Sequence, residues 1–443
     1  MFKEATYGLN KVYSTLTQAG YECYLVGGAV RNFLCGDLDS SDFDIATDAR
    51  PEEVIALFRR VIPTGIKHGT VTVFVRGERF EVTTYRLDGK YSDGRRPDQI
   101  HFVSGILEDL KRRDFTMNSV AYELGTKTFL DPNKGIEDIN NKIIRAIGSP
   151  LQRFQEDGLR PLRAIRFVSQ LGFSIEKETY QAICESVRIT CMVSKERIIS
   201  EFFRLIQGPQ ALRGLLLVRA TGLLSKLVPE FDQSYLFISR KQEISFLRFL
   251  GEVLRRVGPT DLELRIAVIF ALDVKYFMSL SSAWNPSDHS YETRVAQCLA
   301  VGRRYRFSNK TLKVVAHFVR WSSFPYGIGE WDDARVRIFV HDVGINNLDR
   351  LFILWQAVSC LDETKMNIVC EAHRRISNLL RQPGVALSIR DLAIDGEKLI
   401  ESLNLREGRV VGQILNMLLE RVLEDPSLNN EPALLDIAQN LLK

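Results

Sequence analysis

The fold of this chain is decided by one stretch near its start, Leu25-Val26-Gly27-Gly28-Ala29-Val30-Arg31-Asn32. A short apolar strand leads into a diglycine turn, and a helix begins directly after the turn. Glycine lets the backbone approach a phosphate closely, and the start of a helix presents N–H groups to an anion. We therefore predict that Gly27 and Gly28 bind a nucleoside triphosphate and that Arg31 adds a charged fork to its phosphates.

A pair of carboxylates follows after a short loop, in Asp42-Phe43-Asp44. Alternate residues of a strand share one face, so both carboxylates point the same way while Phe43 points into the core. Mg²⁺ typically binds through one or two carboxylates together with substrate phosphates. The pair therefore predicts a catalytic metal site at Asp42 and Asp44. Glu81, on the strand over residues 79–85, is either a third catalytic carboxylate or an ordinary solvent-facing glutamate.

A second charged segment is Glu156-Asp157-Gly158-Leu159-Arg160-Pro161-Leu162-Arg163-Ala164-Ile165-Arg166-Phe167. Residues three and four apart share a helix face, so the spacing predicts a carboxylate and three arginines along one side of a helix. Asp157 accepts and Arg160 donates, so a pair of the two could recognise the edge of a nucleobase. Cytosine and adenine match this pair because each offers an amino donor beside a ring-nitrogen acceptor. The alternative is a surface helix with ion pairs.

Composition indicates an ordinary globular protein without overall basicity. The chain has 443 residues, of which 45% are hydrophobic and 26% are charged, and its net charge is +4. Any nucleic-acid partner must therefore be met by local patches. The seven cysteines form no CxxC pair, and no apolar segment is long enough to cross a bilayer. We expect a cytoplasmic protein with reduced thiols and no membrane contact.

The sequence pattern changes near residue 148. Strands and helices alternate before this point, and the pattern after it is helical almost throughout, with turns such as Gly258-Pro259 and Asp425-Pro426. Such a change predicts an α+β protein with a mixed-sheet head and an all-α remainder.

The motifs occur in the order of a known family. The two N-terminal stretches are followed by Arg112-Arg113-Asp114-Phe115-Thr116-Met117-Asn118, by residues 131–138 and by the segment at 156–160. This set resembles the class II tRNA nucleotidyltransferases, which are the CCA-adding enzymes and close relatives of bacterial poly(A) polymerases. The likeness is specific from about residue 20 to about residue 180 and weaker beyond.

The resemblance implies roles for individual residues. Asp42 and Asp44 would hold two Mg²⁺ ions in a palm domain of the DNA polymerase beta type. Nucleotide binding would fall to the two glycines, the base-reading pair and four further arginines, namely Gly27, Gly28, Asp157, Arg160, Arg31, Arg113, Arg163 and Arg166.

The resemblance also implies a domain order and an activity. A nucleotidyltransferase head (1–148) would be followed by a neck with the nucleotide-reading helix (149–205), a helical body (206–325) and a tRNA-binding tail (326–443). The implied activity is template-independent addition of CMP and AMP, from CTP and ATP, to the 3′ end of tRNA.

Three alternatives share these motifs. A poly(A) polymerase and an enzyme restricted to the terminal A, or to the two Cs, would carry the same head, and a catalytically silent RNA-binding protein could keep the same fold. Retention of both Asp42 and Asp44 argues against the silent protein. The sequence leaves the nucleotide scope, the range of tRNAs and the oligomeric state open.

Overall fold

The computed structural model describes residues 7–37, 43–88, 100–230, 240–272, 290–324, 326–382 and 384–442. The chain splits into two compact units, Met1–Leu236 and Phe237–Lys443. The predicted metal ligand Asp42 lies outside the described residues. The predicted division into head, neck, body and tail is finer than this split and stays a prediction.

The first unit is built on a seven-stranded mixed sheet, whose strand order is β3-β4-β5-β2-β1-β8-β9. β2 and β5 pair in parallel, and the other neighbours are antiparallel. The strands of this sheet are β1 (Tyr24–Val26), β2 (Phe43–Thr47), β3 (Val61–Gly65), β4 (Thr70–Val75), β5 (Glu78–Thr84), β8 (Ala121–Glu123) and β9 (Thr128–Leu130). Two smaller ladders pair β6 (Arg86–Asp88) with β7 (Ile100–Phe102), and β10 (Ile143–Ile144) with β11 (Ser174–Ile175).

Local sequence signals explain several of these elements. β4 and β5 form a hairpin around Arg76 and Gly77, which have φ of +48° and +86°. Two successive positive φ values suit the right-handed twist of a tight hairpin. A helix begins at Pro51, where the fixed φ of proline favours the first turn, and the side chain of Glu53 accepts from the N–H of Arg50.

Helices pack on the sheet, and the part of the first unit that follows the sheet in sequence is also mainly helical. Those of the first unit are α1 (Tyr7–Gln18), α2 (Gly28–Leu34), α3 (Pro51–Leu57), α4 (Ile106–Lys111), α5 (Gly135–Asn140), α6 (Pro150–Glu156), α7 (Arg160–Leu171), α8 (Lys177–Glu185), α9 (Val187–Met192), α10 (Lys195–Gln207), α11 (Ala211–Ala220) and α12 (Leu223–Leu227). The core between the first helices and the sheet is apolar and includes Leu9, Val12, Leu25, Ile45, Val71 and Phe80.

The second unit is helical in its described residues. Its helices are α13 (Arg240–Val257), α14 (Leu262–Ala271), α15 (Ser290–Arg304), α16 (Asn309–Arg320), α17 (Asp333–Val343), α18 (Ile345–Val358), α19 (Glu363–Leu380), α20 (Gly396–Leu403), α21 (Arg409–Glu424) and α22 (Glu431–Leu441). The predicted α+β class, with a mixed-sheet head before an all-α remainder, is confirmed. None of the described helices combines the length and the apolar character needed to span a bilayer.

Gly135 at the start of α5 allows this helix to approach the backbone at Thr116 closely, and this packing supports the site described below. Its N–H donates to the Asp131 side chain over 2.6 Å. A Cβ on Gly135 would lie 2.2 Å from the carbonyl oxygen of Thr116 and 2.8 Å from the side chain of Val120. Thr116 begins the short 3₁₀ turn Thr116–Asn118, so a glycine at position 135 is needed for α5 to pack on this turn.

We expect Gly135→Ala to lower the free energy of unfolding by roughly 1–3 kcal/mol, because backbone must move to admit the methyl group. The matched control is Gly412→Ala in α21, where an added Cβ meets no atom within 4 Å. Alanine is the better helix former by up to about 1 kcal/mol, so the control should be neutral or stabilised. Urea unfolding of the three proteins measures both effects, and equal stability of the two variants would contradict the packing argument.

Candidate functional site

The end of β1 brings three predicted site residues to one point. Val26 pairs with Asp44 across the antiparallel β1 and β2, so the next residue, Gly27, lies beside that carboxylate. Gly27 has a φ of +71°, and a Cβ on it would lie 3.2 Å from Oδ2 of Asp44 and 3.5 Å from Nη1 of Arg113. The missing side chain therefore leaves space between an anionic and a cationic group. A Cβ on Gly28 would likewise lie close to a guanidinium group, at 3.6 Å from Nη2 of Arg31.

Glu81 lies next to Asp44 in the sheet. The two residues are partners in the parallel pairing of β2 with β5, so their side chains leave the same face. Both are exposed, and Glu81 Oε1 lies 3.9 Å from Nη2 of Arg79. Phe43 stacks on Phe80 at 6.2 Å between ring centroids, which confirms that it points toward the core. The catalytic role of Glu81 stays a prediction.

Arg113 is oriented by a carboxylate one helical turn earlier. Asp109 in α4 is buried, and its Oδ2 accepts from Nη2 of Arg113 over 3.0 Å while Oδ1 accepts from Nε of Arg112 over 2.8 Å. Burial acts to raise the pKa of the Asp109 carboxyl, but the two guanidinium groups outweigh it and hold that pKa below its ordinary value. Nε of Arg113 is buried and makes no hydrogen bond within the described residues, so this side chain retains donor capacity.

Arg31 is held in a buried polar relay. Nη1 of Arg31 donates to Oδ1 of Asn118 over 2.7 Å, and the amide of Asn118 donates to Oδ1 of Asp114 over 3.1 Å. Asp114 also accepts from the N–H of Phe115 and lies 2.9 Å from Nη2 of Arg163 in α7. Burial lowers the pKa of Arg31. The relay connects α2, which follows the diglycine turn, to the predicted nucleotide-reading helix.

An aromatic ring makes a second connection between α2 and α7. The guanidinium of Arg31 lies 5.1 Å from the ring centroid of Phe167, and that of Arg166 lies 3.9 Å from it. Phe115 packs edge-on against the same ring at 5.8 Å. Cations over an aromatic face are attracted by its quadrupole, so Phe167 helps to place both arginines.

The structure corrects the predicted placement of Asp157 on the helix of Arg160. α6 ends at Glu156 and α7 begins at Arg160, so Asp157 lies between the two helices with φ −139° and ψ 105°. The prediction that Asp157 shares a helix with Arg160 is wrong, and the prediction that the two residues read a base together stays a prediction. Asp157 binds Arg197 of α10, whose Nη2 lies 3.0 and 2.8 Å from its two carboxylate oxygens. Arg160 binds Glu156 instead, with 2.6 Å between Nη1 and Oε2.

The reason for this break is local. Pro161 has no N–H to donate to the carbonyl of Asp157, so it is tolerated only in the first turn of a helix. The helix must therefore begin after Asp157. Gly158 allows the break to pack closely, since a Cβ on it would lie 2.9 Å from the carbonyl oxygen of Ile189.

The three predicted arginines of α7 differ in exposure. Arg160 is buried and also donates to the carbonyl oxygens of Arg153 and Arg112, over 2.7 and 3.2 Å. The Arg163 side chain is 34% exposed. Arg166 is buried, and its Nε lies 2.7 Å from Oε2 of Glu201. Burial lowers the pKa of Arg166 to about 10, so it remains charged at neutral pH.

Four residues that hold these groups were not among the residues predicted from the sequence. Asp109 in α4 stands four residues before Arg113, which follows the end of that helix, and this spacing is one at which charged side chains can pair. Asn118 lies within a quoted motif, yet nothing local indicates that it contacts Arg31. Arg197 and Glu201 lie some 35 to 40 residues from their partners, so no local pattern reveals them.

Family comparisons agree with this architecture. The model of the Poly A polymerase head domain matches residues 23–145. A second model, described as the probable RNA and SrmB-binding site of polymerase A, matches residues 172–235. The first match covers the seven-stranded sheet together with Arg31 and Arg113, and the second covers α8 to α12.

Individual relatives extend the comparison. The CCA-adding enzyme of Geobacillus sp. (strain WCH70) is 50% identical over 212 residues, which are 48% of this chain and only 52% of that protein. The CCA-adding enzyme of Enterococcus faecalis is 33% identical over 442 residues, which are 99% of this chain and 96% of that protein. The match with several relatives thus spans about half of their length, whereas others align throughout.

Solved structures show the same fold. The CCA-adding enzyme of Bacillus stearothermophilus, in complex with CTP, is 29% identical, with a TM-score of 0.73 over 99% of this chain and 98% of that one. The Thermotoga maritima CCA-adding enzyme complexed with tRNA_CCA is 19% identical and has a TM-score of 0.57 over 98% and 95% of the two chains. The second likeness shows the fold alone.

Asp114 should make stability depend on pH. Its pKa is held below the ordinary value because Arg163 and Asn118 outweigh the effect of burial, which acts to raise it. A carboxyl with a lowered folded-state pKa contributes stability above its unfolded pKa of about 4, and loses it as the pH falls through the folded pKa. Asp114→Asn should therefore be less stable than wild type by roughly 1–3 kcal/mol at pH 7, and the difference should shrink below about pH 4.

Urea unfolding at pH 7, 5, 4 and 3 measures this difference. Asp342→Asn, at an exposed position of α17, is the matched control and should follow wild type at every pH. A gap between Asp114→Asn and wild type that stays constant with pH would show that the carboxylate charge is not the stabilising element.

Proposed function

The chain belongs to the family of CCA-adding enzymes, and on that premise we propose that it adds CMP and AMP, from CTP and ATP, to the 3′ end of tRNA without a nucleic-acid template. Relatives solved in complex with CTP, with ATP and with tRNA support these substrates. The cytoplasmic location expected from the cysteines belongs to the same proposal.

The observation that carries the proposal is the placement of residues 112–114. Nη1 of Arg113 lies near the Cβ position of Gly27, on which Oδ2 of Asp44 also borders. The preceding carbonyl, of Arg112, accepts from Arg160, and the following side chain, of Asp114, pairs with Arg163. One short segment thus joins a candidate phosphate-binding and catalytic site to a candidate base-binding site, as nucleotidyl transfer with base selection requires.

Both members of the base-reading pair retain hydrogen-bonding capacity in their corrected positions. A guanidinium has five N–H donors, and the described partners of Arg160 are two carbonyls and one carboxylate. A carboxylate has about four acceptor positions, and Asp157 receives one contact from the N–H of Leu159 and two from Arg197. Asp157 and Arg160 can therefore both hydrogen-bond to the same edge of cytosine or adenine, although the side chain of each is held by a different residue.

A divalent cation accompanies nucleotidyl transfer in this family generally, and we propose that this chain uses Mg²⁺ held by Asp42 and Asp44. The donor set fits, because Asp44 is an exposed carboxylate with Glu81 beside it, and hard cations prefer oxygen ligands. Over the described ranges, which omit Asp42, no group of three or more His, Cys, Asp or Glu could hold a metal ion. When bound, the cation would supply activation of the 3′-hydroxyl and neutralisation of the leaving pyrophosphate.

The chain's own residues orient the substrate. Arg113 and Arg31 donate to the phosphates, and the absence of a side chain at Gly27 gives the triphosphate room to approach Asp44. Holding the nucleotide and the 3′ end in reacting geometry contributes a large share of such catalysis.

One assay distinguishes the proposed activity from its rivals. Purified protein is given tRNA transcripts that end before, within and after CCA, with CTP, ATP or both, and the products are resolved to single nucleotides. Completion of CCA with no further extension is expected. Addition of only the last A would identify an A-adding enzyme, and long A tracts would identify a poly(A) polymerase.

Asp44→Ala should abolish incorporation of both CMP and AMP, because the same carboxylate serves every addition step. The loss should be at least roughly a thousandfold in rate, and the melting temperature should change little because the side chain is exposed. The matched control is Asp342→Ala, at an exposed position of the second unit. Full activity in a folded Asp44→Ala protein would refute the proposed catalytic centre.

Asp157→Ala should relax base choice while leaving catalysis in place. The carboxylate accepts from the amino group of cytosine or adenine and repels the carbonyl of uracil or guanine. The ratio of kcat/KM for CTP to that for UTP should fall by roughly tenfold or more. If this ratio keeps its wild-type value, Asp157 is only a structural ion-pair partner of Arg197.

A further inference from the structure

Helix α10 presents two charged side chains to the segment that reads the base. Arg197 and Glu201 stand four residues apart, so they share one helix face. Nη2 of Arg197 contacts both carboxylate oxygens of Asp157, and Oε2 of Glu201 contacts Nε of Arg166. One helix thereby supports both the turn before α7 and the middle of α7.

Asp157 needs such support because of where it lies. It stands in extended conformation between α6 and α7, and the N–H of Leu159 donates to its Oδ1 over 3.0 Å. One backbone contact to one oxygen leaves the plane of the carboxylate free to turn. Within the described residues, the side chain that hydrogen-bonds to Asp157 is that of Arg197, which reaches the second oxygen and so determines the plane.

The contact between Asp157 and Arg197 is largely shielded from water. Asp157 is 8% exposed and the Arg197 side chain is 21% exposed, so water competes little for either group. Three contacts occupy the carboxylate, which leaves about one of its four acceptor positions for an incoming donor. The direction of that remaining position depends on the direction of the guanidinium.

We propose that Arg197 is a positioning residue for base selection, which orients the carboxylate of Asp157 so that its remaining acceptor position meets the amino group of cytosine or adenine. This inference rests on the proposed function. Arg197 acts on base selection through its contact with Asp157. Loss of Arg197 therefore penalises the correct bases, which bond to the carboxylate, and leaves uracil and guanine, which do not, almost unaffected.

The test compares Arg197→Ala and Arg197→Lys with wild type. Single CMP or UMP additions to tRNA that lacks CCA are measured, and kcat and KM are determined separately for CTP and UTP. For Arg197→Ala we expect kcat/KM for CTP to fall by roughly tenfold or more, mainly through KM, with little change for UTP. Lysine supplies the charge without the planar fork, so Arg197→Lys should recover part of the CTP-to-UTP ratio.

Arg188→Ala is the matched control, because Arg188 is an exposed arginine on the neighbouring α9. It should keep the wild-type ratio. Melting temperatures identify variants that have lost the fold. If Arg197→Ala is unfolded, Arg197→Lys still tests the inference, because it retains the charge but changes the geometry and should therefore lower the CTP-to-UTP ratio.

The outcomes distinguish a failure of the proposed function from a failure of the inference about Arg197. If wild type adds no CMP to tRNA, the proposed function fails. If wild type adds CMP and both Arg197 variants keep its CTP-to-UTP ratio, the inference about Arg197 fails while the function stands. Equal loss with CTP and UTP also overturns the inference, because it would show a general structural role for Arg197.

Discussion

The carboxylate of Asp114 is the interaction on which the first unit depends. It accepts from the backbone of Phe115 and from Asn118, and it lies 2.9 Å from Arg163. Through Asn118 it determines the position of Arg31, and through Arg163 it ties α7 to the sheet-bearing part of the unit. An isolated buried carboxylate would be strongly unfavourable, so the charge persists only because these partners surround it.

Buried guanidinium groups follow the same rule throughout the site. Arg31 has two amide partners and an aromatic ring, Arg160 has two carbonyls and a carboxylate, and Arg166 has a carboxylate and a ring. Desolvation offsets much of the attraction in such contacts, so their contribution lies in geometry more than in stability. The proposed recognition of a flat base and a charged triphosphate requires that geometry before the substrate arrives.

The corrected position of Asp157 changes how base recognition is understood. A pair on one helix face would be rigid because the helix is rigid. The structure instead places the acceptor in a turn and the donor in the first turn of α7, and each is held by a different partner. The side chains of the proposed base-reading site are therefore held by different partners, Arg197 for the acceptor and Glu156 for the donor.

The sequence by itself determined the features that depend on neighbouring residues. The diglycine turn, the hairpin at Arg76 and Gly77 and the order of the motifs follow from local backbone preference and from residue spacing. The start of α7 was also encoded locally, by Pro161, but the helical spacing of the arginines obscured it. Tertiary structure alone decided the contacts between distant residues, such as Glu81 beside Asp44 and Arg197 on Asp157. Strand register and helix packing bring these groups together, and both arise from burial of apolar surface, which carries no information about which charged side chains will meet.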